Sequence, residues 1–194
     1  MTTSDSTATA TTASGALPLP AGSWDIDPFH SAVNFTIRHL GISKVRGRFS
    51  EVTAGLVVGE SAETSSVTAT IDLASIDTGN KDRDAHVRAP DLLDVERRPT
   101  MTFRSTRVLG KEDDWTLEGE LTIGDVTKPI TLAVEFGGLQ AFPGSPRRHA
   151  GFEATGEISR SDYGLDFGAG LLGNVVKIQL DMQFLEPEAA PAES

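Results

Sequence analysis

The amino-acid sequence predicts an all-β protein of about eight antiparallel strands, and three observations support this fold class. Polar and apolar residues alternate along most of the chain, beginning with Val33, Phe35 and Ile37. Each alternating segment has one apolar and one polar face, as antiparallel strands do, whereas parallel strands read as continuous apolar runs. Only the segment from Asn80 to Val95 breaks this pattern.

The predicted strands follow one another along the whole central part of the chain. After residues 33–37, the alternation returns at residues 67–73, 101–103, 115–123, 130–136, 152–158 and 176–184. The segment from Val45 to Val58 alternates less regularly and contains Gly47 and Gly55, which indicates bulges or bends inside a strand. Residues 140–150 contain two prolines and a glycine and are predicted to form a loop.

The segment that breaks the alternation predicts one short helix at about residues 80–95. Its charged residues surround Ala85, and Asn80 is a suitable N-cap. Pro90 disfavours the helical backbone of the residue before it, so we expect the helix to be interrupted there. The charged side chains of this segment are expected to fix the helix to the sheet.

The periodicity alone leaves two architectures open, a sandwich of two sheets and a closed barrel. An eight-stranded barrel has an interior that is either filled by side chains or just large enough for a small ligand. Small residues occupy four positions on the apolar faces. They either leave room inside or relieve crowding: Ala69, Gly119, Ala154 and Gly156.

The composition limits the domain organisation and the cellular location. The chain has 194 residues, and Thr, Ser or Ala occupies 12 of its first 14 positions. We therefore predict a disordered tail at residues 1–22, one domain at residues 23–185 and a second disordered tail at residues 186–194. No basic and apolar leader is seen, no apolar stretch is long enough for a transmembrane segment, and the chain has no cysteine. These features predict a cytoplasmic protein.

The net charge of −11 makes nucleic acid an unsuitable partner and would also oppose an anionic membrane surface. A G-x-G-x-x-G pattern at residues 168–173 precedes a strand-like segment rather than a helix. It therefore indicates a glycine-rich loop and not a phosphate-binding loop.

The four histidines do not have the spacing of a metal site, and no nucleophile motif accompanies them. His39 ends the apolar row of the first strand, where it could be a polar group at the rim of a cavity. Lys44, Arg46 and Arg48 have the opposite parity. They are either a solvated outer face with salt bridges or a basic rim that attracts an anionic head group.

Five segments of this sequence, in order, resemble the YceI-like, lipocalin-like family of polyisoprenoid-binding proteins. They are WDIDPFHSAVNFTIRHLGISKVRGRF, ASIDTGNKDRDAHVRAPDLLD, RPTMTFRS, GELTIGDVTKPITLAVEF and GFEATGEISRSDYGLDFG. The resemblance implies an eight-stranded antiparallel lipocalin-like barrel with a helix beside it and an apolar pocket for a long isoprenoid chain. It also implies that a homodimer is one arrangement to test. It provides no catalytic residues.

We therefore predict a non-enzymatic carrier of an isoprenoid lipid or isoprenoid quinone, without cofactor or metal. The predicted polar rim is His39, Arg46 and Arg48. The predicted apolar wall is Val33, Phe35, Ile37, Ile71, Phe103, Leu121, Leu132, Phe152, Ile178 and Met182. Two alternatives stay open at this point: a barrel enzyme using His30, His39 or His86 as acid or base, and a structural, stress-related barrel with a filled interior.

Overall fold

The computed structural model describes residues 15–188, and the predicted tail residues 1–14 and 189–194 lie outside this range. These described residues form one short α-helix, α1 (Lys81–Arg88), and eleven strand segments. These are β1 (Gly22–Ile26), β2 (Ala32–His39), β3 (Ser43–Phe49), β4 (Val52–Val58), β5 (Ser66–Asp72), β6 (Ile76–Asp77), β7 (Thr100–Lys111), β8 (Asp114–Ile123), β9 (Val126–Ala141), β10 (Arg148–Ser159) and β11 (Leu172–Leu185).

The eleven segments build eight barrel strands, because three of the strands are interrupted. Residues 27–31 separate β1 from β2, residues 50–51 separate β3 from β4, and a 3₁₀ turn at Leu73–Ser75 separates β5 from β6. The two segments of the first interrupted strand pair with the two segments of the second, β1 with β4 and β2 with β3. Every neighbouring pair is antiparallel, and β11 closes the ring by pairing with both β1 and β2. The closed barrel confirms the predicted fold class and excludes the sandwich.

Helix α1 is where the sequence predicts a helix, and its side chains attach it to the barrel. The Asn80 side chain accepts a hydrogen bond from the Arg83 backbone N–H, and the helix ends at Arg88, two residues before Pro90. The buried Asp84 carboxylate accepts hydrogen bonds from the backbone N–H and the hydroxyl of Thr78. Arg88 donates to the carbonyls of Ala74 and Ile76 at 2.6 and 2.7 Å.

The two ends of the barrel differ in what covers them. We call the end that holds α1, the 40–42 turn and the 160–171 loop the helix end, and the opposite end, which holds residues 15–21 and 59–65, the N-terminal end. The N-terminal end is packed around Trp24, which is 1% exposed and donates its indole N–H to the Pro20 carbonyl.

The predicted boundary of the N-terminal tail is wrong at residues 15–22. Leu19 is buried in the cluster around Trp24, Leu17 packs beside the buried Trp115, and Gly15 donates its backbone N–H to the Gly110 carbonyl. This segment, GALPLPAG, is short and shows no alternation of polar and apolar residues, so periodicity did not separate it from the tail. Its two leucines nevertheless cover apolar side chains at the N-terminal end. At the other terminus, Glu186 continues the pairing of β11 with β10 by donating its backbone N–H to the Arg148 carbonyl at 2.9 Å, and its carboxylate accepts hydrogen bonds from Arg148.

Candidate functional site

A cavity of about 850 Å³ runs through the inside of the barrel. The inward-facing residues of the strands form its wall, and this wall is mostly apolar. The volume lies in the upper part of the range of about 300–1,000 Å³ that is common for ligand pockets. The barrel therefore has room for a guest rather than an interior filled by its own side chains.

All ten residues predicted as apolar wall line this cavity. They come from seven segments around the ring: Val33, Phe35, Ile37, Ile71, Phe103, Leu121, Leu132, Phe152, Ile178 and Met182. They share this surface because every second residue of each strand faces the interior of the barrel. Their contact with a ligand stays a prediction.

The four small inward residues separate into two pairs with different roles. Ala69 and Ala154 line the cavity, so their short side chains leave space for a guest. Gly119 and Gly156 instead relieve crowding. A Cβ atom on Gly119 would lie 2.4 Å from the Phe103 ring, and one on Gly156 would lie 2.6 Å from Leu132 Cδ2. Both interpretations of the small residues therefore apply: the two alanines leave room inside the barrel, and the two glycines relieve crowding.

Most of the polar residues of the lining lie at the helix end, where the 160–171 loop and α1 meet the first strands. His39 lines the cavity there, together with Thr78, Arg83, His86 and Asp91. His86 Nε2 lies 3.5 Å from Asp91 Oδ2, and both side chains are largely exposed. The exposed side chains in the lining place the mouth of the cavity at this end.

Arg46 and Arg48, the other two predicted rim residues, are not part of the cavity lining. Both lie on the exposed outer face of β3, because the parity that turns Val45 inward turns them outward. Arg48 forms an ion pair of 3.1 Å with Asp77. The backbone N–H of Gly79 and, after it, the guanidinium of Arg48 lower the pKa of Asp77. For Arg48 the structure therefore favours the outer-face reading with a salt bridge.

Arg160 is a polar residue of the site that sequence reasoning missed. It lines the cavity, yet it is only 6% exposed. Its Nε and Nη2 donate to the carbonyls of Gly173 and Leu172 at 2.9 and 3.3 Å, and its Nη1 donates to the Leu165 carbonyl. Its guanidinium also stacks on Phe167, 5.0 Å from the ring centroid.

A guanidinium has five N–H groups, and these three hydrogen bonds use three of them. Within residues 15–188, no carboxylate lies within ion-pair distance of Arg160. Among the described residues, this buried cation at an apolar cavity is thus held by backbone carbonyls and the Phe167 ring, without a carboxylate partner. No alternating pattern marks this loop, so the sequence offers no signal for it beyond the glycines that follow.

The remaining histidines lie away from the cavity. His30 Nδ1 is 2.8 Å from Asp27 Oδ2, and His149 Nδ1 is 3.6 Å from the same oxygen. Neither histidine lines the cavity. Across residues 15–188, no group of three or more His, Asp or Glu side chains is arranged to hold a metal ion.

Comparison with known proteins agrees with this geometry. Residues 24–184 match the YceI-like domain. The chain belongs to the YceI-like family. It is 35% identical over 155 residues to the protein YceI of Escherichia coli, which covers 79% of this chain and 81% of that protein. It is 34% identical, over the same shares, to the UPF0312 protein of Pseudomonas aeruginosa.

Solved structures show the same barrel. The YceI protein of Campylobacter jejuni is 28% identical and superposes with a TM-score of 0.69 over 78% of this chain and 90% of that one. BcnA of Burkholderia cenocepacia has a TM-score of 0.71 at 23% identity, covering 82% of this chain and 99% of that chain. A polyisoprenoid-binding domain from Saccharophagus degradans has a TM-score of 0.62 at 18% identity, covering 84% and 98%. These last two likenesses concern the fold alone.

In the part of the chain that the structure describes, no helix combines the length and the apolar character needed to cross a bilayer.

Proposed function

We propose that this protein is a non-enzymatic carrier that holds a long isoprenoid chain, of a polyprenyl lipid or an isoprenoid quinone, inside its barrel. The observation that carries the proposal is the apolar cavity of about 850 Å³ with its mouth at the helix end. The structurally similar domain of Saccharophagus degradans is described as polyisoprenoid-binding. A barrel without ligand would need a filled interior, and the cavity argues against that alternative.

Desolvation of the ligand provides the affinity. Each methylene that moves from water to an apolar surface contributes roughly 0.8 kcal/mol, so several isoprene units together outweigh the cost of immobilising the chain. The lining offers few hydrogen-bonding groups along the barrel wall. An unbranched or methyl-branched hydrocarbon therefore suits it better than a polar ligand of the same size.

The polar groups at the mouth orient the ligand. Arg160 has two N–H groups for which residues 15–188 provide no acceptor, and His39 lies at the same end of the cavity. A head group with oxygen acceptors, such as a quinone carbonyl or a phosphate, would be placed here while the chain fills the barrel. This arrangement puts the hydrocarbon deepest and the polar end nearest to water.

An enzyme is the second candidate, and one observation favours it. His39 and His86 both line the helix end of the cavity, so either could exchange a proton with a bound head group. Replacing each with Gln separates the two functions. Under the carrier proposal, both variants keep the ligand chemically unchanged. An enzyme would convert the ligand at a rate that falls in at least one variant.

The test of the carrier proposal is to identify what the protein retains. We expect native mass spectrometry of protein purified from its own host to show an adduct, and organic extraction to release an isoprenoid. The matched variants are Ala69→Leu, which fills part of the cavity, and Thr70→Leu, which adds the same side chain to the outer face of β5. Ala69→Leu should reduce retention at least about fivefold, because it removes ligand volume. Equal retention by both variants, or extracts without lipid, would refute the proposal.

Two further parts of the proposal need separate measurements. The cytoplasmic location stays a prediction, which fractionation of the native host would check. The homodimer implied by the family resemblance also stays a prediction, which light scattering of the purified chain would check.

A further inference from the structure

Four large apolar side chains are exposed together beside the mouth of the cavity. Leu40 and Ile42 lie in the turn between β2 and β3 and are 50% and 82% exposed, and Leu171 is 55% exposed. The Leu40 backbone N–H donates to the Leu171 carbonyl at 2.6 Å, which joins this turn to the 160–171 loop. Val175, on the outer face of β11, is 44% exposed. Leu171 also lines the cavity, so exposed apolar surface continues into the ligand site.

Leu40 is exposed at a position where leucine is locally unfavourable. Its φ of 52° lies in the left-handed region, which glycine and asparagine adopt with much less strain than a bulky side chain. The side chain is half exposed, so burial in the fold offsets this strain only in part. A strained, exposed leucine at the mouth of a lipid site is an observation that points to a function outside the fold.

Four cations lie on the outer face of the three strands next to these apolar residues. Arg38 and Lys44 are opposite each other on β2 and β3, and Arg46 and Lys177 are opposite Thr36 from either side. Among residues 15–188, no carboxylate lies within 4.0 Å of any of the four. Glu157 is opposite Lys177 on β10, so the positive charge of this face is concentrated on Arg38, Lys44 and Arg46, although the whole chain has a net charge of −11.

We propose that these eight residues form a surface, the mouth patch, that docks onto an anionic lipid bilayer so that the isoprenoid passes between membrane and cavity without crossing water. The mouth patch consists of Arg38, Leu40, Ile42, Lys44, Arg46, Leu171, Val175 and Lys177. The inference rests on the proposed carrier function, because it explains how a ligand that is insoluble in water enters and leaves the barrel.

Physical reasons favour a bilayer as the occupant of this surface. Apolar side chains that insert at the acyl boundary, with cations at the level of anionic head groups, are the combination that holds proteins at a membrane surface. Electrostatic screening at physiological salt limits the reach of distant charges to about 8 Å, so the local cations outweigh the net charge of the chain. The barrel would meet the bilayer with the 40–42 turn first. Helix α1, which carries Asp82, and the turn after it, which carries Asp91, would be tilted away.

Vesicle flotation with the full chain tests the proposal. We expect binding to vesicles of phosphatidylcholine and phosphatidylglycerol in equal parts, and much weaker binding to vesicles of phosphatidylcholine alone. The binding should decrease between 0.1 M and 1 M salt, because the screening length falls from about 10 Å to about 3 Å. Equal binding to both kinds of vesicle without salt dependence, or no binding to either, would overturn the proposal.

Matched variants test whether the mouth patch is the surface that binds. Lys44→Glu and Ile42→Ser should each weaken binding to the anionic vesicles about 10-fold or more. The controls replace a cation by Glu and an exposed apolar side chain by Ser at other places. They are Arg107→Glu, on the exposed face of β7, and Phe142→Ser, at a side chain that is 54% exposed at the N-terminal end. Controls that weaken binding as much as the patch variants would overturn the assignment. A second result would also overturn the assignment: the wild type does not bind vesicles, and light scattering shows a dimer that Ile42→Ser dissociates. The mouth patch would then bind a second copy of the chain.

Leu40→Asn should change thermal stability and vesicle binding in opposite directions. The melting temperature should rise, because asparagine tolerates the left-handed backbone, while vesicle binding should weaken at least about threefold. A variant that is less stable, or that binds vesicles as well as wild type, would contradict the role of Leu40 in the mouth patch.

The docking inference and the carrier proposal fail in distinguishable ways, because vesicle binding is measured without isoprenoid. Retention of added farnesol is measured separately, by native mass spectrometry in the absence of vesicles. Retention without vesicle binding would overturn the docking inference and leave the carrier proposal standing. Vesicle binding without retention would overturn the carrier proposal.

Discussion

Two buried polar side chains from the same short segment have opposite surroundings. Arg160 is held by three backbone carbonyls, whereas Tyr163, which is 2% exposed, has a hydroxyl without a hydrogen-bond partner among the described residues. Burial, reinforced by the negative charge of Asp162, raises the pKa of Tyr163. The ring of Tyr163 belongs to the main apolar cluster of the barrel, so its contribution to packing is separate from that of its hydroxyl.

Tyr163→Phe tests this separation. Removing a buried hydroxyl that has no partner should leave the free energy of unfolding unchanged or raise it by up to about 1 kcal/mol. Tyr163→Leu, which removes the ring, should instead cost about 2–4 kcal/mol through lost packing. Chemical denaturation of the three proteins measures both effects. A loss of 1 kcal/mol or more in Tyr163→Phe would show that the hydroxyl has a stabilising partner.

Among the elements of the fold, α1 depends most on local sequence signals. Apart from Asp84, its residues are at least partly exposed, so little core packing holds it. Its start is fixed by the Asn80 side chain, which accepts from the Arg83 backbone N–H at 3.0 Å. Since α1 carries Arg83 and His86 of the cavity lining, the stability of this helix also sets how well the mouth is ordered.

Asn80→Ala should lower the free energy of unfolding by about 1 kcal/mol, because it leaves a backbone donor of the first turn without its cap. Hydrogen exchange at the amides of Arg83 and Asp84 should become faster, while exchange in β8 and β9 stays the same. Asn80→Ser retains a capping oxygen and is the control. If the alanine and serine variants lose the same stability, the cap does not hold the helix.

The strands and the apolar wall could be predicted because they obey a single rule. Alternation identifies which residues of a strand share a face, and closure then turns one face of every strand inward, so Phe35 and Ile178 meet although the chain separates them widely. The barrel itself came from a family resemblance, because alternation is the same in a sandwich. Turns and loops have no such rule. Arg160 and Leu171 reach the cavity from a segment without periodicity, and nothing local distinguishes them from solvated loop residues.

Two of the three strand interruptions, at residues 27–31 and 73–75, were also beyond sequence reasoning, whereas the irregular alternation of residues 45–58 indicated a bend in the strand that breaks at residues 50–51. Residues 27–31 leave the sheet for a few positions and return, so that β11 pairs with β1 at its end and with β2 before it. Pro28 and the paired Asp27 and His30 suit a local turn, but only the register of β11 shows that both flanking segments belong to one barrel strand. The roles of the small inward-facing residues could also be assigned only from the structure, because they depend on side chains that neighbouring strands provide. Gly119 is required by the Phe103 ring, which a neighbouring strand supplies.

At the scale of the whole molecule, the barrel closes along a short seam, and one buried carboxylate orders the turn beside it. β1 and β11 share only two paired positions, Asp25 with Leu185 and Ile26 with Phe184. Beyond them, the Asp27 backbone N–H donates to the Gln183 carbonyl at 2.8 Å. The Asp27 carboxylate accepts from the backbone N–H of Phe29 at 3.0 Å and lies 2.8 Å from His30 Nδ1. The 27–31 turn and the end of β11 are thereby joined.

The charge of Asp27 makes the stability of this seam depend on pH. Burial alone would raise the pKa of this carboxyl, but the hydrogen bonds from His30 and from the Phe29 N–H, together with the charges of His30 and His149, outweigh burial and lower it. A carboxyl whose pKa is lower in the folded than in the unfolded chain stabilises the fold above the unfolded value of about 3.9. That contribution is lost as the pH falls from there through the folded value.

Asp27→Asn should therefore lower the free energy of unfolding by about 1–3 kcal/mol at pH 7, because an amide cannot replace the charged acceptor at the seam. The difference between wild type and variant should shrink as the pH falls below about 4, where the carboxylate becomes protonated. Denaturant titrations at several pH values measure this difference, and Asp166→Asn, a change of the same charge at an exposed position, is the control. A difference that does not shrink below about pH 4, or one that Asp166→Asn reproduces, would show that the closure of the barrel does not depend on ionised Asp27.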